Sequence, residues 1–373
     1  MRTREIFFWL SAAVPVYAYL GYPLTLLFLR LLIRREPARQ PITPFVSLLV
    51  PAYNEARVIE RKILNCLELD YPAQCLEVVI ACDGPSDGTP ALAARMADGE
   101  RVRALAYAEN RGKIAVLNAA VPELRGDIVV FSDASAMLLP GSLRELVMNF
   151  ADPQVGAVSG RYTVVKAGEV DIGKSEDFYW RYETYLKVQE SAISSMLGAH
   201  GHLHAIRKPL YPFPPPGTIN DDYVIPVSVL AKGYRAVYEP RAIVYEEAAE
   251  MAGFGRRVRI MAGNFQQLRE IGGLLRPLCP LPLFFFLSHK ASRLLVPFAA
   301  LLALALNLSL LDAPLYRTLL YLQILFYAMA ILGAVIQLKP RILMLPYYFC
   351  MINAATFFGL YHALTGRRKM VWK

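Results

Sequence analysis

The chain has 373 residues, of which 55% are hydrophobic and 19% charged, and its 40 Lys and Arg against 31 Asp and Glu give a formal net charge of +9. That length suits roughly two to three domain-sized units. The composition excludes a disordered chain, a collagen-like repeat and a small disulfide scaffold, and the apolar excess is gathered into runs.

The first run, Ile6 to Leu29, holds no charged residue and is about long enough to cross a ~30 Å hydrocarbon core as a helix. Arg2 and Arg4 are the only basic residues before it, no small-residue cleavage site follows, and Pro15 and Pro23 interrupt it, so a retained span is expected rather than a cleaved signal. Arg30, Arg34, Arg35 and Arg39 come next. The positive-inside bias then predicts a cytoplasmic segment from Pro41 to Pro277. Charge of this kind beside spans serves lipid headgroups and topology, so it is not read as a nucleic-acid footprint.

Within that segment Phe45 to Val50, Val78 to Ala81 and Ile128 to Phe131 are short apolar, β-branched runs, as expected of strands buried on both faces of a largely parallel sheet. Helices are predicted between them. Val58, Ile59, Ile63, Cys66 and Leu67 share one helical face, Thr89 followed by Pro90 is a helix start, and Ser142 with Glu145 has capping-box spacing. The class is α/β, and in open sheets of this class ligands bind beyond the carboxyl ends of the strands. Asp83, Asp87 and Asp133 follow such ends. Each can open a turn, or can bond ribose and base edges and hold a divalent cation against a pyrophosphate. No GxxxxGK[ST] loop is present, which argues against a P-loop NTPase.

Farther on, Ser175 to Leu197 reads as a helix rich in aromatics, with Tyr179, Trp180, Tyr182 and Tyr185 suited to stacking on sugars or to anchoring at a membrane interface. His200, His202 and His204 alternate. On a strand they would share a face, as metal ligands, as hydrogen-bond partners of a sugar, or as packed side chains. Leu281 to Leu287, followed by SHKASR, reads as an interfacial helix feeding the second span, with Pro280 and Pro282 arguing against a longer run. Leu294 to Leu311, Thr318 to Leu338 and Ile342 to Thr365 are again free of charge. The last is broken by Pro346 and precedes Arg367, Arg368, Lys369 and Lys373, which prefer the cytoplasm, so crossing, re-entrant and interfacial placements all stay open. Cys66, Cys75, Cys82, Cys279 and Cys350 are odd in number and lack CxxC spacing, as expected of reduced packing residues.

VPAYNEA (50–56), CDGPSDGT (82–89), NRGKIAVLNAA (110–120), FSDAS (131–135) and INDDYVIPV (219–227) occur in this order. Together with the flanking spans they resemble the membrane-embedded inverting glycosyltransferases of family 2, the group of cellulose, chitin, hyaluronan and poly-N-acetylglucosamine synthases. The resemblance implies a GT-A type, Rossmann-like mixed sheet, mostly parallel, between N- and C-terminal transmembrane helices and interfacial helices. It implies that Ala52, Tyr53, Glu55 and Asp83 bind the uridine, that Lys113 faces the base or the phosphates, and that Asp133 holds the donor diphosphate and a Mg or Mn ion. Ser135 stands where the family's second Asp belongs, and a hydroxyl is a poorer ligand for a hard cation.

INDDYV resembles the family's Thr-Glu-Asp element, making Asp222 the general base and putting Asp221 beside the acceptor. The base deprotonates the acceptor hydroxyl as it attacks the anomeric carbon. GFGRRVRIMAGNFQ (252–265) resembles the Gln-x-x-Arg-Trp element, with Arg256 at the Gln, Arg259 at the Arg and Ile260 at the Trp. Arg256 and Arg259 then serve the diphosphate, or lie on lipid headgroups, and loss of the indole puts processive polymerisation in doubt. By position, His200, His202 and Trp180 fall to the acceptor.

The organisation expected is an N-terminal transmembrane helix (1–36), a cytosolic catalytic domain (41–250), interfacial helices (251–291), and a C-terminal transmembrane region of two to three spans with a basic tail (292–373). The function expected is an inverting transferase in the inner cell membrane. It moves a hexose or N-acetylhexosamine from a UDP-sugar to a polysaccharide or lipid-linked acceptor, with the lipid bilayer as a further partner and no nucleic acid. The alternatives are a non-processive transferase making one linkage on a polyprenyl-linked acceptor and, given Ser135, a non-catalytic scaffold subunit that binds sugar nucleotides.

Overall fold

The computed structural model describes residues 2–84, 86–165, 178–247, 254–274, 280–336 and 341–365. They fall into two compact units. One gathers the described residues of 1–25, 252–269 and 284–368, and the other those of 26–251 and 270–283. A continuous helix opens the chain: Arg2–Val16 (α1), a π-helical turn at Tyr17–Gly21, and Tyr22–Leu32 (α2).

An eight-stranded sheet follows. Its strands are β1 (Val46–Ala52), β2 (Leu76–Asp83), β3 (Val102–Tyr107), β4 (Ile128–Phe131), β5 (Met137–Leu138), β6 (Val155–Val165), β7 (His204–Arg207) and β8 (Arg235–Glu247). The helices among them are α3 (Ile59–Leu67), α4 (Thr89–Met96), α5 (Lys113–Ala120), α6 (Ser142–Val147), α7 (Phe178–Ile193) and α8 (Asp221–Ala231). Strand order is β3-β2-β1-β4-β7-β6-β8-β5. β1 runs parallel to β2 and β4, β2 to β3, and β6 to β8, whereas β7 is antiparallel to both β4 and β6, and β5 to β8.

Every residue of β1, β2 and β4 is buried. Helical crossovers cover both faces of a parallel sheet, which is why these strands read as unbroken apolar runs instead of alternating ones. The parallel register pairs Ala52 with Cys82 and Asp83 with Tyr107, so the segments after β1, β2, β3 and β4 emerge at one edge.

Expected strand positions hold within two residues, and α4 starts at Thr89 as expected. The capping box at Ser142 does not form. Gly141 is the N-cap, and the Ser142 hydroxyl donates to Ile243 O at 2.6 Å and accepts from Ile243 N at 3.0 Å. A tertiary strand offered that hydroxyl a donor and an acceptor together, which the helix end could not. On α3 the buried face contains Lys62 as well as Ile59, Ile63 and Cys66.

After β8 the chain forms α9 (Phe254–Gln267), the short α10 (Ile271–Leu274), α11 (Pro280–Phe285), a π-helical turn at Phe286–Ala291, α12 (Ser292–Leu308), α13 (Pro314–Val335) and α14 (Leu345–Thr365). Among the described residues three helices, Arg2–Leu32, Pro280–Leu308 and Pro314–Val335, are long and apolar enough to cross a membrane. Pro280 and Pro282 do not stop the second, contrary to the expectation of a short interfacial helix. They occupy its first turn, where no intrahelical N–H is needed. α14 is a full-length helix, but Asn353, His362 and three tyrosines reduce its apolar character, and it is not among the three. In the helical unit α1 packs along α12, with Phe8, Ala303, Leu310 and Tyr316 clustering at one end. α14 crosses α9 at Gly359, where a Cβ would meet Met261 Cβ at 2.6 Å.

Candidate active site

The loops at the carboxyl edge are tied to one another by side chains the sequence supplies at strand ends. Ala52, buried, ends β1, and half-buried Tyr53 follows. Asn54 takes the left-handed conformation (φ 57°) and its Oδ1 accepts from Ser86 N at 2.9 Å. Asp87 accepts from Ala56 N at 3.1 Å and from Thr89 N at 3.0 Å, while Thr89 Oγ1 accepts from Glu55 N at 2.9 Å. Asp87 is thus a turn-builder, its carboxyl held below the usual range by those donors against the opposing effect of burial.

Asp83, fully buried, accepts from Arg111 N at 2.8 Å and Gly112 N at 2.9 Å. These bonds shape the loop that delivers Lys113. Gly84 (φ +55°) allows the close passage, since a Cβ there would lie 2.3 Å from Glu109 C.

Lys113 Nζ lies 3.1 Å from Asp133 Oδ1 and 3.0 Å from Asp221 Oδ2. Burial opposes its charge, but the two carboxylates outweigh burial and hold the ammonium well above its usual pKa. Asp133 is correspondingly held low despite burial, by Lys113 and then by His202 and His204. Around this pair the field is acidic. Glu55 is pushed up to about 7 by burial, then by Asp133, Glu246 and Asp87, and His202 Nε2 sits 3.7 Å from Glu246 and 4.0 Å from Asp133.

Asp222 lies one residue into α8, beside Gly201, whose Cβ position is 3.7 Å from Asp222 Oδ2. Pro226, four residues on, has no N–H for the Asp222 carbonyl. That carbonyl accepts from Ala199 N at 2.6 Å instead, docking the 198–202 loop against the start of α8. Asn220 is the N-cap residue of α8.

The same loop presents an aromatic cluster. His202 stacks on Tyr162 at 3.9 Å, Trp180 meets Tyr162 edge-on at 4.8 Å and His200 at 5.6 Å, and Tyr162 Oη donates to Glu246 at 2.9 Å. The three histidines do not share a strand face. His200 and Leu203 close a turn, and only His204 lies on β7, buried and stacked on Phe131 at 4.9 Å. Burial lowers the His204 pKa to about 4.

Beneath Asp133, fully buried Lys62 donates to Ser132 Oγ at 2.7 Å and to Ala136 O, while Ser132 Oγ donates to His202 O at 2.9 Å. Asn65 bonds both the N–H and the C=O of Leu138 at 2.9 Å. Burial lowers the Lys62 pKa against the pull of Cys66, Asp133 and Glu246. Sequence reasoning missed Lys62, Asn65, Tyr162 and Glu246. For the first two a signal existed, since polar residues at positions 62 and 65 sit within the helical face of Ile59, Ile63 and Cys66; Tyr162 and Glu246 carried none.

Among the described residues no group of three or more His, Cys, Asp and Glu side chains is arranged to hold a metal ion. The donor chemistry still fits a cation shared with a substrate. Asp133 offers a carboxylate after β4 at the carboxyl edge, and Mg²⁺ is commonly held by one or two carboxylates plus substrate phosphates. Of the remaining expected residues, Arg256 and Arg259 lie exposed on α9, in the helical unit. Tyr179's side chain and Cys279 lie outside the described residues. Cys66, Cys75, Cys82 and Cys350 are free thiols.

The family model for glycosyl transferase family 2 matches residues 47–211. The chain is 31% identical over 168 residues to beta-monoglucosyldiacylglycerol synthase of Trichormus variabilis, covering 44% of this chain and 36% of that protein. It is 26% identical over 230 residues to poly-beta-1,6-N-acetyl-D-glucosamine synthase of Staphylococcus aureus, covering 60% and 55% respectively. The matches thus span about a third to about half of the length of these curated relatives. A solved structure, mannosyltransferase PcManGT from Pyrobaculum calidifontis in complex with GDP-Man and Mn2+, superposes with a TM-score of 0.71 at 24% identity, over 97% of this chain and 100% of that one. The strand order, the acidic carboxyl edge and the matched segment agree: residues 47–211 are a glycosyl transferase family 2 domain built on the GT-A fold.

Proposed function

We propose that this glycosyltransferase moves a hexose or N-acetylhexosamine from a UDP-sugar, with inversion, to a polysaccharide or lipid-linked acceptor at the cytoplasmic face of a membrane. The observation that carries the reading is the bridge from Asp133 through Lys113 to Asp221, with Asp222 next in the chain. Carboxylates nearly ninety residues apart thereby meet at the edge where α/β sheets bind nucleotides.

In this reading the Asp222 carboxylate takes the proton of the acceptor hydroxyl as its oxygen attacks the anomeric carbon from the side opposite the leaving nucleoside diphosphate. Lys113 holds a permanent cation where the diphosphate gathers charge, the point at which preorganised electrostatics contribute most. A divalent cation on Asp133, when bound, neutralises diphosphate charge. Asp83 orders the 110–112 loop so that Lys113 starts from a defined position. Trp180, His200, His202 and Tyr162 offer the acceptor sugar flat faces and hydrogen-bonding groups. Arg256 and Arg259 are assigned to the diphosphate by their motif alone.

The test is nucleoside diphosphate release by the full chain in lipid nanodiscs, with a panel of UDP- and GDP-sugars, Mg or Mn, and Asp222→Asn as control. Release from one donor that is lost in the variant supports the proposal. Release that persists in Asp222→Asn removes the assigned base.

A second reading, one linkage on a lipid-linked acceptor, is favoured by Ile260 at the family's Trp position and by the diacylglycerol named in the Trichormus relative. Products of one added sugar support it, and a ladder of lengths excludes it.

A further inference from the structure

Helix α7 buries ionisable groups that neither the sequence motifs nor the proposed chemistry uses. Glu183, Lys187 and Glu190 are spaced four and three residues apart, which puts them on one helical face, and all three are buried, Glu190 completely. Ionisable groups away from water are costly to hold unless they are hydrogen-bonded. Two of the three reach one short stretch of backbone that follows the helix. Glu190 Oε2 accepts from Leu197 N at 3.1 Å, and Lys187 Nζ donates to Gly198 O at 2.5 Å.

The bonds continue along the same stretch. Ala199 N donates to Asp222 O at 2.6 Å and His200 N to Ser159 Oγ at 2.9 Å, so each residue from Leu197 to His200 has a backbone group fixed by a partner elsewhere in the fold. Gly198 makes the turn in the left-handed region (φ +89°), which glycine enters without a Cβ penalty. The loop held in this way carries His200 and His202, and its Gly201 has a Cβ position 3.7 Å from Asp222 Oδ2. It therefore borders the carboxylate assigned as base. Stability alone is a poor reason for the arrangement, because well-packed apolar residues in place of buried charges are often neutral or stabilising.

We propose that Lys187 and Glu190 are positioning residues for the acceptor side of the site: from α7 they fix the 197–200 backbone, and through it the placement of His200, His202 and the Asp222 carboxylate around an incoming hydroxyl. The inference rests on the reading of Asp222 as base and of this loop as the acceptor side. Other side chains order the nucleotide side, Asp83 at 111–112 and Lys62 at 132 and 136. Loss of Lys187 or Glu190 is therefore expected to slow transfer and to leave nucleotide affinity in place.

The test uses the full chain in lipid nanodiscs, with Lys187→Met, Glu190→Leu and Glu190→Gln each measured three ways: hydrogen exchange of the 197–200 amides, titration with UDP, and nucleoside diphosphate release from the sugar-nucleotide panel. In Lys187→Met and Glu190→Leu the amides of Leu197, Ala199 and His200 should exchange about tenfold faster, the scale of one buried hydrogen bond lost. Release should slow by about the same factor, with UDP affinity and donor KM unchanged. Glu190→Gln keeps an oxygen for the Leu197 N–H and should retain most of the parent's release. Should the first two variants fail to fold, the double variant Lys187→Met/Glu190→Leu, which leaves neither ionisable group buried alone, takes their place with the same expectations. Exchange and release equal to the parent overturn the proposal. A fall in UDP affinity in step with release also overturns it, because α7 would then support the whole domain. Faster exchange in the variants of a parent that releases no nucleoside diphosphate supports the ordering of the loop and removes the transferase reading instead.

Discussion

Asp83→Asn is the most informative single substitution. Its carboxylate is buried and accepts two backbone N–H groups, at 2.8 and 2.9 Å. Charge-assisted bonds of this kind contribute roughly 1.5–3 kcal/mol each. The carboxamide keeps one acceptor oxygen and turns an NH₂ donor toward the other N–H, so one bond is lost and a buried donor is left unsatisfied. A loss of about 2–4 kcal/mol follows. For a domain of this size that corresponds to roughly 5–15 °C in melting temperature. Because the released loop leads directly into Lys113, nucleotide affinity should fall as well, by about tenfold for each 1.4 kcal/mol of ordering that binding must then supply. The assays are thermal unfolding in nanodiscs and titration with UDP. A variant that melts with its parent and binds UDP equally well would falsify the loop-ordering role. A variant with unchanged melting but weakened binding would instead make Asp83 a direct contact to the base, as the family resemblance implies.

Three further outcomes are expected. Glu55 has its pKa raised from 4.5 to about 7 in the folded chain, so the fold binds more protons than the unfolded chain between these values and loses stability as pH rises through them; Glu55→Gln should flatten that slope and gain on the order of 1–2 kcal/mol above pH 7 once solvent screening is allowed for, and an unchanged pH profile of melting refutes it. Pro226→Ala restores an N–H for the Asp222 carbonyl, which competes with Ala199; kcat should drop several-fold with donor KM little changed, and a selective rise in donor KM would contradict the assignment of this loop to the acceptor. Lys62→Met removes the ammonium that clasps Ser132 and Ala136; nucleotide binding should weaken by about 1–2 kcal/mol, the scale of a buried hydrogen bond left unmade, and binding equal to the parent would reduce Lys62 to a packing residue.

Much of the fold was legible because its signals are local. Parallel strands buried on both faces must be apolar along their length, and β1, β2 and β4 were read from that alone. Three long apolar helices were likewise read from length and the absence of charge, and ordered motifs at strand and helix ends singled out Asp83, Lys113, Asp133 and Asp222, of which the fold brings Lys113 onto Asp133. Where sequence misled, a distant partner had taken over a group. Ser142 serves Ile243 rather than its own helix, and Pro280 and Pro282 begin a helix instead of ending one.

By itself, then, the order of residues determined which segments are buried strands, which are long apolar helices, and where acids cluster at strand ends, since hydrophobic period and turn chemistry are properties of consecutive residues. Only the tertiary structure decided which acids share a cation. Asp133 and Asp221 meet on Lys113 because β4, α5 and α8 open onto one edge, and Lys62 reaches under that edge because one turn of α3 faces the 132–138 loop. Pairing across 20 to 190 residues, as in Arg61 with Glu247 or Tyr162 with Glu246, depends on sheet register and helix packing, and no local pattern in a single chain encodes it.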